Sequence, residues 1–255
     1  MTINKSMNKI PALTLAYWVM KICATTLGET AGDLLSMTMN VGYSVASIIL
    51  LSFFFVTLLI QLVSKKYHPV VYWMVILSTS TAGTTMSDFM DRTLGLGYVT
   101  GTIILVSLLI TILTLWKLIE KSISVTDIKS FRSELFYWVA ILFSNTLGTA
   151  LGDFLADSSG LGFFGGAALI GSLLLLTVLA YYFTKMNRVV LFWIAFVLTR
   201  PFGATFGDLL TKPIEKGGLN FGTIGSSAIL FTILIVLIIV EMNKHISRNK
   251  KLQTV

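Results

Sequence analysis

Reactive side chains are scarce in this chain. It has one cysteine, Cys23, and two histidines, His68 and His245. A single cysteine excludes an internal disulfide and any cysteine-based metal cluster. Both histidines fall outside the apolar windows, so a buried histidine-rich transition-metal site is not expected. Charge is thin as well: 12% of 255 residues are Asp, Glu, Lys or Arg, against about a quarter in a soluble domain. No glycine-rich phosphate loop with a following Lys-Ser/Thr occurs, so no ATPase motor is expected. HExxH and GxSxG are both missing, which removes the common intramembrane hydrolase signatures. The chain reads as neither an enzyme nor a holder of a resident cofactor, a bound divalent cation excepted.

What is abundant is hydrocarbon. Apolar residues make up 55% of the chain, and the mean hydropathy is +0.84. Eight windows reach bilayer-crossing length, at 12–36, 41–64, 69–91, 98–119, 134–157, 162–184, 189–211 and 221–242. A helix needs about 20 largely apolar residues to cross a membrane. The fold class expected is therefore an all-α membrane protein of eight transmembrane helices. Lys21 interrupts the first window and no small-x-small cleavage site closes it, so residues 11–36 read as part of the mature fold and not as a signal peptide.

The net charge of +7 is explained by topology. Lys5, Lys9, Lys65, Lys66, Lys117, Lys121, Lys129, Arg132, Lys185, Arg188, Lys244, Arg248, Lys250 and Lys251 occupy the termini and the loops after even-numbered helices. The opposite loops hold only Arg92, Lys212 and Lys216. Basic loops stay cytoplasmic, which places both termini in the cytoplasm. Attraction to anionic lipid completes the account. The basic termini are too short for a binding domain, so no nucleic acid is expected.

One motif is written four times. An aromatic-Trp pair (Tyr17-Trp18, Tyr72-Trp73, Tyr137-Trp138, Phe192-Trp193) is followed, fifteen residues after the Trp, by Asp33, Asp88, Asp153 or Asp208. Each Asp follows a small residue. Successive aspartates are 55, 65 and 55 apart, so the middle interval holds an insertion. The chain divides into a first half, 1–119, with hairpins at about 12–64 and 69–119; a cytoplasmic connector, 120–133; and a second half, 134–255, with hairpins at about 134–184 and 189–242. Every unit has two spans, so the four repeats are parallel, about an axis along the membrane normal. Parallel repeats of this kind occur in transporters. The four Trp residues read as an interfacial aromatic belt. Gly28/Gly32, Gly83/Ser87, Gly148/Gly152 and Gly203/Gly207 are small-xxx-small pairs suited to close helix packing.

Steps of four residues keep to one helical face. The four faces are Lys21-Thr25-Glu29-Asp33, Ser80-Thr84-Asp88-Arg92, Asn145-Thr149-Asp153-Asp157 and Arg200-Ala204-Asp208-Lys212. At about 1.5 Å per residue, the aspartates lie deep in the outer half of a bilayer core. Asp91, Arg92, Asp157 and Lys212 approach an outer mouth. Charge inside a membrane is costly and is a functional-site hypothesis by default.

The embedded acids Glu29, Asp33, Asp88, Asp91, Asp153, Asp157 and Asp208 outnumber the bases Lys21, Arg92, Arg200 and Lys212. The surplus requires protons or a bound cation. Carboxylates with Asn145, Thr84 and Thr149 form an all-oxygen donor set, suited to Mg²⁺, Ca²⁺, Mn²⁺ or alkali ions. Asp33, Asp88, Asp153 and Asp208 are the expected metal ligands, with Glu29 as a coupling proton site and Lys21 and Arg200 as counter-charges. The reading is a proton-coupled carrier of a small hard cation, Mn²⁺ favoured among divalents. A cation or proton channel is the first alternative. A structural or sensor protein with internally paired charges is the second, since buried ion pairs also set register. The partners are then a small cation, protons and lipid. Four hairpins supply their own ring, so the chain can be complete as a monomer, with a homo-oligomer as the alternative.

KICATTLGETAGD in the first unit and SNTLGTALGDFLAD in the third resemble a bacterial family of uncharacterised multi-pass, membrane-anchored proteins with four hairpin repeats. The resemblance covers essentially the whole chain. It implies an inner-membrane location and transfers no function to any residue.

Overall fold

In a computed structural model the described residues are 9–125, 128 and 130–253, with side chains described up to residue 247. Lys5, Lys129 and the side chains of Arg248, Lys250 and Lys251 lie outside them. Eight long helices follow one another: α1 Leu15–Asp33, α2 Tyr43–Val63, α3 Pro69–Asp88, α4 Gly97–Glu120, α5 Phe131–Asp153, α6 Gly162–Phe183, α7 Arg188–Thr211 and α8 Thr223–Gln253.

The odd-numbered helices start with defined caps. Thr14, Ser130 and Asn187 accept hydrogen bonds from Tyr17 N, Ser133 N and Val189 N, and Pro69 opens α3. These side chains satisfy first-turn N–H groups that no helical carbonyl can reach. Three odd helices then change pitch immediately after the motif aspartate. The segments Leu34–Thr38, Phe89–Thr93 and Phe154–Ser158 are π-helical. Pairs of left-handed residues make the return: Asn40 and Gly42, Gly95 and Gly97, Gly160 and Gly162, Asn220 and Gly222. Positive φ is the reason for glycine, and occasionally asparagine, at these places.

The even helices are apolar almost all round, and α2, α4, α6 and α8 expose rows of Val, Ile, Leu and Phe. Such a belt is far larger than a water-soluble surface tolerates. Six helices are long and apolar enough to cross a membrane: α2, α4, α5 with its π extension, α6, α7 and α8. The protein is a multi-pass membrane protein. Helices α1 and α3 are more polar because they are interior. Hydroxyls of Thr79, Thr81 and Thr85 bond back to carbonyls three or four residues earlier, which satisfies them without water.

The odd helices form a closed ring in the order α1, α3, α5, α7, with α7 packed on α1. The small residues make this approach possible. A Cβ at Gly28 would meet Ser80, one at Gly83 would meet Thr146, one at Gly148 would meet Arg200, and one at Gly203 would meet Thr25, all within 3.0 Å. Each repeat thus turns its small residues to the next odd helix, and the last turns them to the first.

The even helices do not pack chiefly on their own hairpin partners. Helix α2 packs on α3, α4 on α5, α6 on α7 and α8 on α1. The aromatic-Trp pairs depart from the expected interfacial belt. Trp73 and Trp138 are 0% exposed and Trp193 is 6% exposed; Trp18 alone is half-buried. Protein covers this end of the ring. Trp73 Nε1 donates to Glu241 on α8 at 2.7 Å, and Trp193 Nε1 to the Ile123 carbonyl of the connector at 3.1 Å. Val125 and Ile128 of that connector join the hydrophobic core, so it is folded onto the bundle rather than lying free.

Candidate functional site

The ring arranges its axial residues in layers, one from each odd helix. At the tryptophan end Tyr17, Tyr72, Tyr137 and Phe192 close the bundle. Tyr17 and Tyr72 hydroxyls are 3.3 Å apart, and those of Tyr72 and Tyr137 are 2.8 Å apart. Above them lies a layer of Lys21, Ile76, Ile141 and Phe196, in which the Lys21 ammonium sits 3.9 Å from the Phe196 ring centroid. All four are buried. Sequence reasoning left these tyrosines as interfacial aromatics; their identical offset from Asp in three repeats was the available signal.

The next two layers interlock. The third is Thr25, Ser80, Asn145 and Arg200; the fourth is Glu29, Thr84, Thr149 and Ala204. Ala204 leaves a gap, and Arg200, one turn earlier on α7, reaches up into it. Its Nη2 donates to Glu29 Oε2 at 2.9 Å, to Thr149 Oγ1 at 2.6 Å and to Thr84 Oγ1. One nitrogen therefore joins side chains from all four odd helices. Arg200 is fully buried and Glu29 is 3% exposed. Asn145 is turned aside, donating to Thr79 Oγ1 at 3.0 Å.

The aspartate layer is paired two by two. Lys212 Nζ lies 2.6 Å from Asp33 Oδ2 and 3.0 Å from Asp208 Oδ1. Arg92 reaches Asp88 Oδ1 at 2.8 Å, Asp153 Oδ2 at 3.2 Å and Asp157 Oδ2 at 3.9 Å. Tyr98 also donates to Asp157, at 3.2 Å. Four buried aspartates thus share two cations. Lys212 follows the last residue of α7. Burial pulls its pKa down, but the Asp208 and Asp33 carboxylates outweigh that and hold it above the ordinary lysine value, so it stays charged through the neutral range.

Carboxylate oxygens of Glu29, Asp33 and Asp208 come within 4.8 Å of one another. This buried triad is the one group of such residues able to hold a metal ion among the described residues. Asp88 and Asp153 stand apart from it, on Arg92. Asp91 does not join the mouth with Arg92, Asp157 and Lys212. It is buried against Gly101 of α4 and accepts from Ser87 at 3.3 Å. The π turn after Asp88 carries it off the axial face.

A family described as Repeat of Unknown Function (DUF347) matches residues 16–67, 71–122, 136–187 and 191–243. The chain belongs to this family. Each DUF347 repeat begins one residue before the aromatic of its aromatic-Trp pair, so each brings one residue to every axial layer and the even helix that follows. No curated protein and no solved structure matches the chain.

Proposed function

We propose that this DUF347 protein is a carrier for a small hard cation, exchanged against protons, with all eight helices crossing a bacterial inner membrane and both termini in the cytoplasm. The observation that carries the reading is the Glu29-Asp33-Asp208 triad: three buried carboxylates within 4.8 Å, on the axis of a helical ring. Such oxygens suit a divalent ion of the Mg²⁺, Ca²⁺ or Mn²⁺ kind, with Mn²⁺ the first to test. Three like charges that close are costly unless a cation or protons join them. Lys212 stands at the edge of the triad as a tethered cation and gives way when the cargo arrives.

A carrier fits better than a channel. The tyrosine layer and the Ile76-Ile141-Phe196 layer seal one end with buried rings and branched chains. At the other end the closure consists of Lys212 and Arg92, with side chains 20% and 35% exposed. A thick apolar seal at one end and a thin, partly exposed ionic one at the other suit gating around a fixed site, as in alternating access. Reconstituted vesicles loaded with a fluorescent chelator test the idea. Mn²⁺ uptake driven by a proton gradient is expected, with loss after Asp33→Asn or Asp208→Asn; no uptake by the intact protein under any gradient rules the carrier out.

A second reading has its own observation. Glu29, Asp33, Asp88, Asp153 and Asp208 each have a basic partner within 4.0 Å. That pairing also suits a non-transporting structural or sensor protein. Calorimetry separates the two: absence of saturable binding of Mn²⁺, Mg²⁺ and Ca²⁺ favours the second.

A further inference from the structure

Toward the tryptophan end from Glu29, the axis holds positive charge with too few acceptors. Arg200 uses Nη2 fully, yet its Nε and Nη1 have no hydrogen-bond partner. Lys21, also 0% exposed, has no hydrogen-bond partner for Nζ and rests on the face of Phe196. Phe196 is one turn below Arg200 on the same face of α7. Both basic side chains therefore border one stretch of the axis. Ser80 Oγ and Asn145 Oδ1, from the Arg200 layer, lack partners too.

Buried donors without acceptors are uncommon and expensive, and charged ones most of all. The aromatic ring offers Lys21 a partial countercharge and does nothing for Arg200. Oε2 of Glu29 is already taken by Nη2, Thr84 and Thr149. Aromatic and aliphatic walls around an ammonium and a guanidinium are a setting for a weakly hydrated anion.

We propose that a small inorganic anion of the chloride class binds on the axis between Lys21 and Arg200. The Lys21 ammonium and the free Arg200 N–H groups are its ligands. The Ser80 hydroxyl adds a donor, and the Asn145 carbonyl takes a hydrogen from the water that enters with the anion. The site goes beyond the cation reading and stands on different atoms. Its role connects to that reading in one way: when a cation takes Glu29, Arg200 loses its countercharge, and the anion replaces it.

Halide binding to the purified full chain in detergent tests this, with a chelator present and no divalent cation. Gluconate replaces chloride, and bromide is then titrated at constant ionic strength. Saturable heat or a saturable rise in melting temperature is expected. Lys21→Gln weakens the halide effect by about tenfold or more, the scale of one lost charge-assisted contact, and Lys21→Arg restores it. Bromide-soaked crystals give an anomalous peak between Lys21 and Arg200, a readout that needs no variant. No saturable halide effect in the intact chain, or equal halide affinity in intact and Lys21→Gln chains, overturns the proposal. Because cations are absent, that failure leaves cation carriage standing, and the loss of cation carriage leaves the anion site standing.

Discussion

Arg200 Nη2 lies 2.9 Å from Glu29 Oε2, and this contact ties α7 to α1 at the level where repeat four lacks a polar side chain. Neither group has exposed surface to spare, so each depends on the other. Removing one partner of a buried pair leaves an uncompensated charge and costs about 3–5 kcal/mol, whereas replacing both by neutral groups of similar size is far cheaper. Arg200→Met and Glu29→Gln are each expected to lower the melting temperature in detergent sharply. The double variant is expected to recover most of the loss. Additive losses in that cycle would show that the two side chains act independently.

Lys212 competes with the cargo in the proposed carrier. Lys212→Met is expected to tighten divalent-cation binding by about tenfold, the worth of one modest electrostatic contact. Calorimetry with Mn²⁺ reads the change, and unchanged or weaker affinity counts against Lys212 as a surrogate cation. The pH dependence has a definite sign. A lysine held above its ordinary value stabilises the fold fully below the unfolded-chain value of about 10.4, and the contribution fades as pH climbs from there through the folded value. The stability gap between the intact chain and Lys212→Met is therefore expected to stay constant from pH 6 to about pH 9.

The glycines divide into those that touch a neighbour and those that do not. A Cβ on Gly148 would sit 2.3 Å from Arg200 Cγ and 2.4 Å from its Cβ, while one on Gly225 meets nothing within 4 Å. Gly148→Ala is expected to destabilise by about 1–3 kcal/mol or more through overpacking. Gly225→Ala is expected to be neutral or slightly stabilising, since alanine favours helix by up to about 1 kcal/mol. Thermal melts of the two variants side by side check the ring contact.

The tyrosine layer shares its hydrogen bonds along a chain from Tyr17 through Tyr72 to Tyr137. Tyr72→Phe strands both neighbours and is expected to cost about 1–3 kcal/mol. Changing all three to Phe removes every polar group at once and makes the layer uniform with Phe192. That triple variant is expected to cost less than the three single losses added together. A sum that matches the parts would mean the hydroxyls are satisfied elsewhere.

Much of this was legible before any coordinates. The fifteen-residue offset from Trp to Asp repeats because the ring repeats, and steps of four pick out one face of each odd helix. The gap at Ala204 was visible, and so was the odd Arg200 beneath it. Asp91 was misplaced for a physical reason. A 3.6-residue period assumes one pitch throughout, and the π turn after Asp88 inserts an extra residue's worth of rotation. The tryptophans misled because an aromatic at a helix end looks the same under a covering loop as at a lipid headgroup; only the connector and α8 decide. The even helices gave no clue to their neighbours, since a helix apolar all round presents no preferred face.

Because α2 packs on α3, and so on until α8 returns to α1, every repeat reaches over its boundary to cover the next. Half the chain, two repeats long, would carry a projecting α4 at one edge and a bare α1 at the other. In the full protein α4 meets α5 and α8 meets α1, so in two such halves each α4 would be offered an α1 in the place of α5. The architecture thus behaves like an overlapping tile, each repeat covered in part by the one before it.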